Sequence, residues 1–124
     1  MSAGLYAQNV TTQTIRWHIG KTQEVNAGRV SEDPDQIVSY GTTKIEWQNA
    51  SGLVKKTFTI SETNGSWTNV QTNGSILYEV SEGERLGTVR IFRTTSELTI
   101  RITLLKDDGE PDLYEFSITS LETL

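Results

Sequence analysis

The chain reads as all-β, an antiparallel up-and-down β-barrel of eight or nine strands, on three observations. Apolar and polar residues alternate with period two along most of the length, as strands with one buried and one wet face require. Helical periodicity is almost absent. Turn-forming residues recur at short intervals, and from residue 43 onward nearly every connection is hairpin-like. A two-sheet β-sandwich is the alternative, but Greek-key sandwiches need long crossings between sheets, so the turn lengths favour the barrel. Residues 1–124 are expected to form one domain, long enough to bury a core without disulfides.

The elements follow in order. QTIRWHI puts Ile15, Trp17 and Ile19 on one face; QIVSY around Ile37 is a weaker candidate; TKIEW pairs Ile45 with Trp47. KTFTI offers Phe58 and Ile60, and SWTNV around Trp67 is a second weak candidate. SILYEV supplies Ile76, Tyr78 and Val80, and GTVRIF supplies Val89 and Ile91. SELTIRITLL is the clearest, with Leu98, Ile100, Ile102 and Leu104 facing one way and Glu97, Thr99, Arg101 and Thr103 the other. LYEFSI closes the series with Tyr114, Phe116 and Ile118. The interval from Lys21 to Gln36 is weakly patterned. Its SEDPDQ segment carries the turn signal Asp33-Pro34-Asp35 and is expected to form a longer loop or one short helical turn. Long loops on a rigid scaffold are where binding often lives.

Asn64-Gly65 and Asn73-Gly74 belong to two copies of TNGS, nine residues apart. Asn-Gly suits a type I′ turn, which needs positive φ at both central residues, so the copies are expected to be turns flanking a short strand at Trp67. Asn9, Asn49, Asn64 and Asn73 also fit the N-x-S/T acceptor pattern for glycans. A chain rich in Asn, Ser and Thr produces such triplets by chance, and turn chemistry accounts for the last three without a glycan.

Composition excludes several function classes. Sixteen acids against eleven bases give a net charge of −5, and the bases are dispersed, which argues against nucleic acid. No apolar run approaches the length of a membrane span, so the chain reads as soluble. Without cysteine there is no thiolate metal site and no cysteine nucleophile, and both reducing and oxidising compartments stay open. MSAGLYAQNV lacks the charged and apolar regions of a secretion signal. His18, the one histidine, alternates outward and has no local nucleophile or orienting carboxylate, so it reads as solvated. DDGEPD at 107–112 lacks the ligand spacing of a calcium loop. No catalytic residue, metal or cofactor is expected. Oligomeric state is left open.

Two cations fall on apolar faces: Lys56 shares a face with Phe58 and Ile60, and Arg93 one with Val89 and Ile91. They read either as strand-end residues reaching water or as a clamp for an anionic group at the mouth of a cavity. In the second reading Tyr78 offers a hydroxyl, and Trp17, Trp47 and Trp67 supply apolar wall; the same tryptophans also suit plain core.

TIRWHIGKTQEVNAG at 14–28 resembles the opening strand of lipocalin-like (calycin) domains, in which a tryptophan closes the barrel floor and a lysine-containing stretch and a turn follow. GTVRI, SELTIRITLLKDDGE and LYEFSI are similar to the final meander of the small bacterial members. The G-x-W of that family is Ile15-Arg16-Trp17 here, and the last strand has no Arg or Lys to stack on Trp17. The resemblance implies a non-catalytic binding protein for a small apolar or amphipathic anionic molecule held in the barrel, with Trp17, Trp47, Lys56, Tyr78 and Arg93 as the candidate ligand-binding residues. The alternative from another class is a β-sandwich recognition or structural module, carbohydrate-binding or an assembly protein, that uses surface loops.

Overall fold

The structure, a computed structural model, describes residues 9–124. Nine strands follow one another: β1 (Thr14–Glu24), β2 (Arg29–Ser31), β3 (Gln36–Tyr40), β4 (Lys44–Gln48), β5 (Val54–Asn64), β6 (Gly74–Glu82), β7 (Arg85–Arg93), β8 (Leu98–Leu104) and β9 (Asp112–Thr123). Every pairing is antiparallel, and β9 returns to β1, so β1 and β3 to β9 close an eight-stranded up-and-down barrel. β2 is the extra strand. It lies along the same edge of β1 as β3, pairing with Thr22–Glu24 while β3 pairs with Thr14–His18.

The alternation that marks the strands also fills the barrel. Ile76, Ile91, Ile100 and Phe116 stand in register on four consecutive strands, and beside them Tyr78, Val89, Ile102 and Tyr114 form a second row. With Trp17, Ile37, Ile45 and Phe58 from the other strands these side chains are buried in one core cluster. An eight-stranded barrel is just wide enough for its own side chains to fill it. The outward residues stay wetter, as Arg101 does by pairing with Glu115 (Nε to Oε2, 2.7 Å).

One end is plugged. Residues 65–73 carry Trp67 and Val70 into the core cluster, where Val10 donates its N–H to the Trp67 carbonyl at 3.2 Å. SWTNV is therefore a loop and not a strand, because its two apolar residues seal the barrel end together instead of alternating between two faces. The two TNGS copies also differ from expectation. No described non-glycine residue has positive φ, so neither Asn-Gly pair makes a type I′ turn. Gly65 takes φ 94° as the chain leaves β5, whereas Gly74 opens β6 and is needed for its lack of a side chain.

The opposite end is formed by the 32–35 connection, the end of β4 and the starts of β5, β7 and β9. Residues 32–35 contain no helical turn; they bridge β2 and β3, and the Asp35 carbonyl accepts from Ile19 N–H at 3.0 Å. On the outer face beside it, Gln36 donates to Gln48 (2.8 Å), and Glu46 accepts from Gln48 (2.9 Å) and Tyr40 (3.0 Å). Burial works against the Glu46 charge, but these donors and Lys44 outweigh it and hold the carboxyl below its ordinary range. This network pins the ends of β3 and β4, and with them Asp35 and Trp47.

Candidate functional site

Trp47 is the last inward residue of β4, and its ring packs edge-to-face on Tyr114 (centroids 5.2 Å apart) and Phe116 (5.0 Å) of β9. β4 and β9 are not neighbours in the sheet, so these rings meet across the barrel mouth. The indole Nε1 donates to Asp35 Oδ2 at 2.9 Å, and Asp35 is only 7% exposed. The same carboxylate oxygen accepts from Lys55 Nζ at 2.7 Å, and that ammonium lies 4.6 Å from the Trp47 ring centroid.

Lys55 reaches this position because of a bulge. Trp47 pairs with Lys56 and Gln48 with Val54, so Lys55 is the residue inserted opposite the β4 step. Bulges re-aim side chains in this way, and strict alternation does not anticipate it.

Together these groups border a concavity of about 230 Å3, closed on its outer side by Val30, Asp33 and the Glu24–Arg29 pair, which is joined by two hydrogen bonds of 2.8 and 3.0 Å. A chain of ion pairs continues along the same end: Lys56 to Glu82 (3.4 Å), Arg85 to Asp112 (2.8 Å) and Lys106 to Asp112 (3.1 Å). The Arg85 guanidinium, opposed by partial burial and helped by Lys106, holds the Asp112 carboxyl below its ordinary range. Burial, followed by the nearby Glu24 and Asp112 charges, pushes the Tyr114 hydroxyl up. The mouth thus offers aromatic surface, a desolvated carboxylate and cations already matched to acids.

Of the residues expected at a ligand site, Trp47 alone lines this concavity. Trp17 is fully buried and donates its Nε1 to Ser39 Oγ at 2.9 Å, within the packed core. Tyr78 is also fully buried, its hydroxyl without a partner and pushed far above its ordinary range by desolvation. Lys56 sits near the mouth but is turned to Glu82. Arg93 is at the plugged end, where its Nε donates to the Val70 carbonyl at 2.6 Å and it borders a separate hollow near Glu97 and Leu98. Lys56 and Arg93 therefore lie at opposite ends of the barrel and do not form one anion clamp. Alternation gave no sign that Lys55 and Asp35 border this concavity, although the Asp33-Pro34-Asp35 turn signal marked the loop that carries Asp35. Arg29 and Glu24 gave no sequence signal beyond a weakly patterned interval.

A hollow of about 470 Å3 beside Leu86 and Leu105 is larger, but it is bordered by loop and strand-end residues with no aromatic wall. His18 lies on the outer face, 2.9 Å from Glu122. Among the described residues no three His, Asp or Glu side chains gather to hold a metal ion, and no helix is long and apolar enough to cross a membrane. No protein-family model matches this chain, and no curated protein or solved structure does either.

Proposed function

We propose that this chain is a non-catalytic binding protein of the lipocalin-like (calycin) kind, and that it takes a small amphipathic molecule at the mouth formed by Trp47, Tyr114, Asp35 and Lys55. One arrangement supports the reading: two aromatic rings and a buried carboxylate converge on a concavity at the end of a barrel whose interior its own side chains fill. Apolar walls with a few fixed polar groups are what small-molecule sites use. At about 230 Å3 the concavity fits a head group or a very small molecule, and the rest of an amphiphile lies outward along Val30.

A second reading, a recognition module that docks a larger partner, draws on the exposed apolar side chains of Leu53, Val54, Leu86 and Leu105 at this same end. Thermal denaturation against a panel of short-chain amphiphiles separates the two. A ligand at one hundred times its dissociation constant stabilises by about 2.7 kcal/mol, which raises Tm by several degrees. The binding reading predicts such a rise for the native chain and a smaller one for Trp47→Phe. No rise with any member of the panel contradicts it and leaves the docking reading.

A further inference from the structure

Lys55 is held as a ligand would be held. Its ammonium is placed over the face of Trp47 and against Asp35 Oδ2, yet its side chain is 43% exposed. A half-exposed lysine gives up such a pair at small cost. Asp35 cannot do without a partner so easily, because a buried carboxylate left uncompensated is strongly disfavoured.

The charges around the concavity point the same way. Glu24, Asp33 and Asp35 stand against Arg29 and Lys55. Arg29 is engaged by Glu24 and Lys55 by Asp35, which leaves Asp33 as surplus negative charge. An anion entering here meets no free cation. A cation entering here can take over the place of Lys55 on the indole face, where ammonium groups are attracted by the ring quadrupole. Exchange of one ammonium for another keeps Asp35 compensated throughout.

Resting on the binding role proposed for this mouth, we infer that its ligand is an amphipathic organic cation, an ammonium group bearing an apolar chain, and that Lys55 is a tethered competitor for the same place. The ligand ammonium donates to Asp35 over the Trp47 ring, and the apolar chain lies along Val30, whose side chain is exposed at the rim. Lys55 swings into solvent when the ligand enters.

The test is calorimetric titration of the full chain with hexylammonium, hexanoate and hexan-1-ol at neutral pH. Hexylammonium is expected to bind with one-to-one stoichiometry and to exceed both others in affinity. Lys55→Met removes the competitor and tightens hexylammonium by roughly three- to tenfold, the scale of one cation–π contact plus one half-exposed ion pair. Asp35→Asn keeps an acceptor for the indole and weakens it by a similar factor. Lys55→Gln serves the same purpose as Lys55→Met where the methionine variant does not fold. Tighter binding of hexanoate or hexanol than of hexylammonium overturns the cation assignment while leaving the mouth as a binding site. Weaker hexylammonium binding in both Lys55 variants overturns the competitor. Absence of binding by all three probes overturns this inference and the binding role with it.

Discussion

Trp67 lies against the bare Cα of Gly74: a methyl group on that carbon would sit 2.5 Å from both Cδ1 and Nε1 of the indole. The same Nε1 donates to the Thr72 carbonyl (3.1 Å), so the indole cannot move away without straining that hydrogen bond. Gly74→Ala is therefore expected to destabilise the protein by about 1–3 kcal/mol through overpacking. Gly65→Ala, where φ is 94°, is expected to cost about 1–2 kcal/mol through backbone strain. Urea denaturation of each variant reads both. A neutral Gly74→Ala contradicts the plugged end.

The register of β8 is tested by adjacent residues. Ile100 is fully buried between Ile91 and Phe116, while Thr99 faces outward. Ile100→Asp buries an unpaired carboxylate at a cost of several kcal/mol, comparable with the whole stability of a domain, and is expected to unfold it. Thr99→Asp is expected to fold with nearly native Tm. Equal melting temperatures for the two would overturn the register.

Tyr78 predicts a gain. Its hydroxyl is buried with no partner, and a buried unsatisfied polar group costs more than its removal. Tyr78→Phe is expected to stabilise the protein by about 1 kcal/mol, read as a higher midpoint in urea with unchanged slope. Because burial pushes this hydroxyl far up, Tyr78 is expected to ionise in alkali only together with unfolding, read by tyrosinate absorbance. A loss of stability in Tyr78→Phe contradicts the dry interior.

Asp112 gives the acid side of the stability profile. Its folded pKa is lowered, chiefly by Arg85, so its contribution is present above the unfolded value and is lost as pH falls through the folded one. Asp112→Asn is expected to lower Tm at neutral pH, and the gap from the native chain closes as pH drops below the ordinary aspartate range. A gap that persists unchanged into strong acid contradicts the Arg85–Asp112 pairing as its source.

Most of the barrel was legible because alternation is local: Leu98, Ile100, Ile102 and Leu104 show their common face within a few residues, and all four are buried. What was not legible is non-local or breaks the period. The closure of β9 on β1 spans almost the whole chain and was reached only indirectly, from hairpin-length connections that lack the long crossings of a sandwich. β2 is too short to display a pattern. Trp67 is as apolar as a strand residue, but it plugs an end because of what surrounds it. At the mouth alternation put Trp47 inward, where it stands, but it pointed to Lys56 on that face, whereas one inserted residue turns Lys55 toward the indole.

The proposed binding at the mouth is tested most directly by a titration of the three tryptophan indole N–H resonances with hexylammonium, each assigned by a Trp→Phe variant. Trp17 donates to Ser39 in the core, Trp67 to Thr72 at the plugged end, and Trp47 to Asp35 at the mouth. The account predicts that the Trp47 resonance moves saturably while those of Trp17 and Trp67 stay within their free positions. Movement of Trp17 with Trp47 unmoved would place the ligand inside the barrel and contradict the account, as would three resonances that never move.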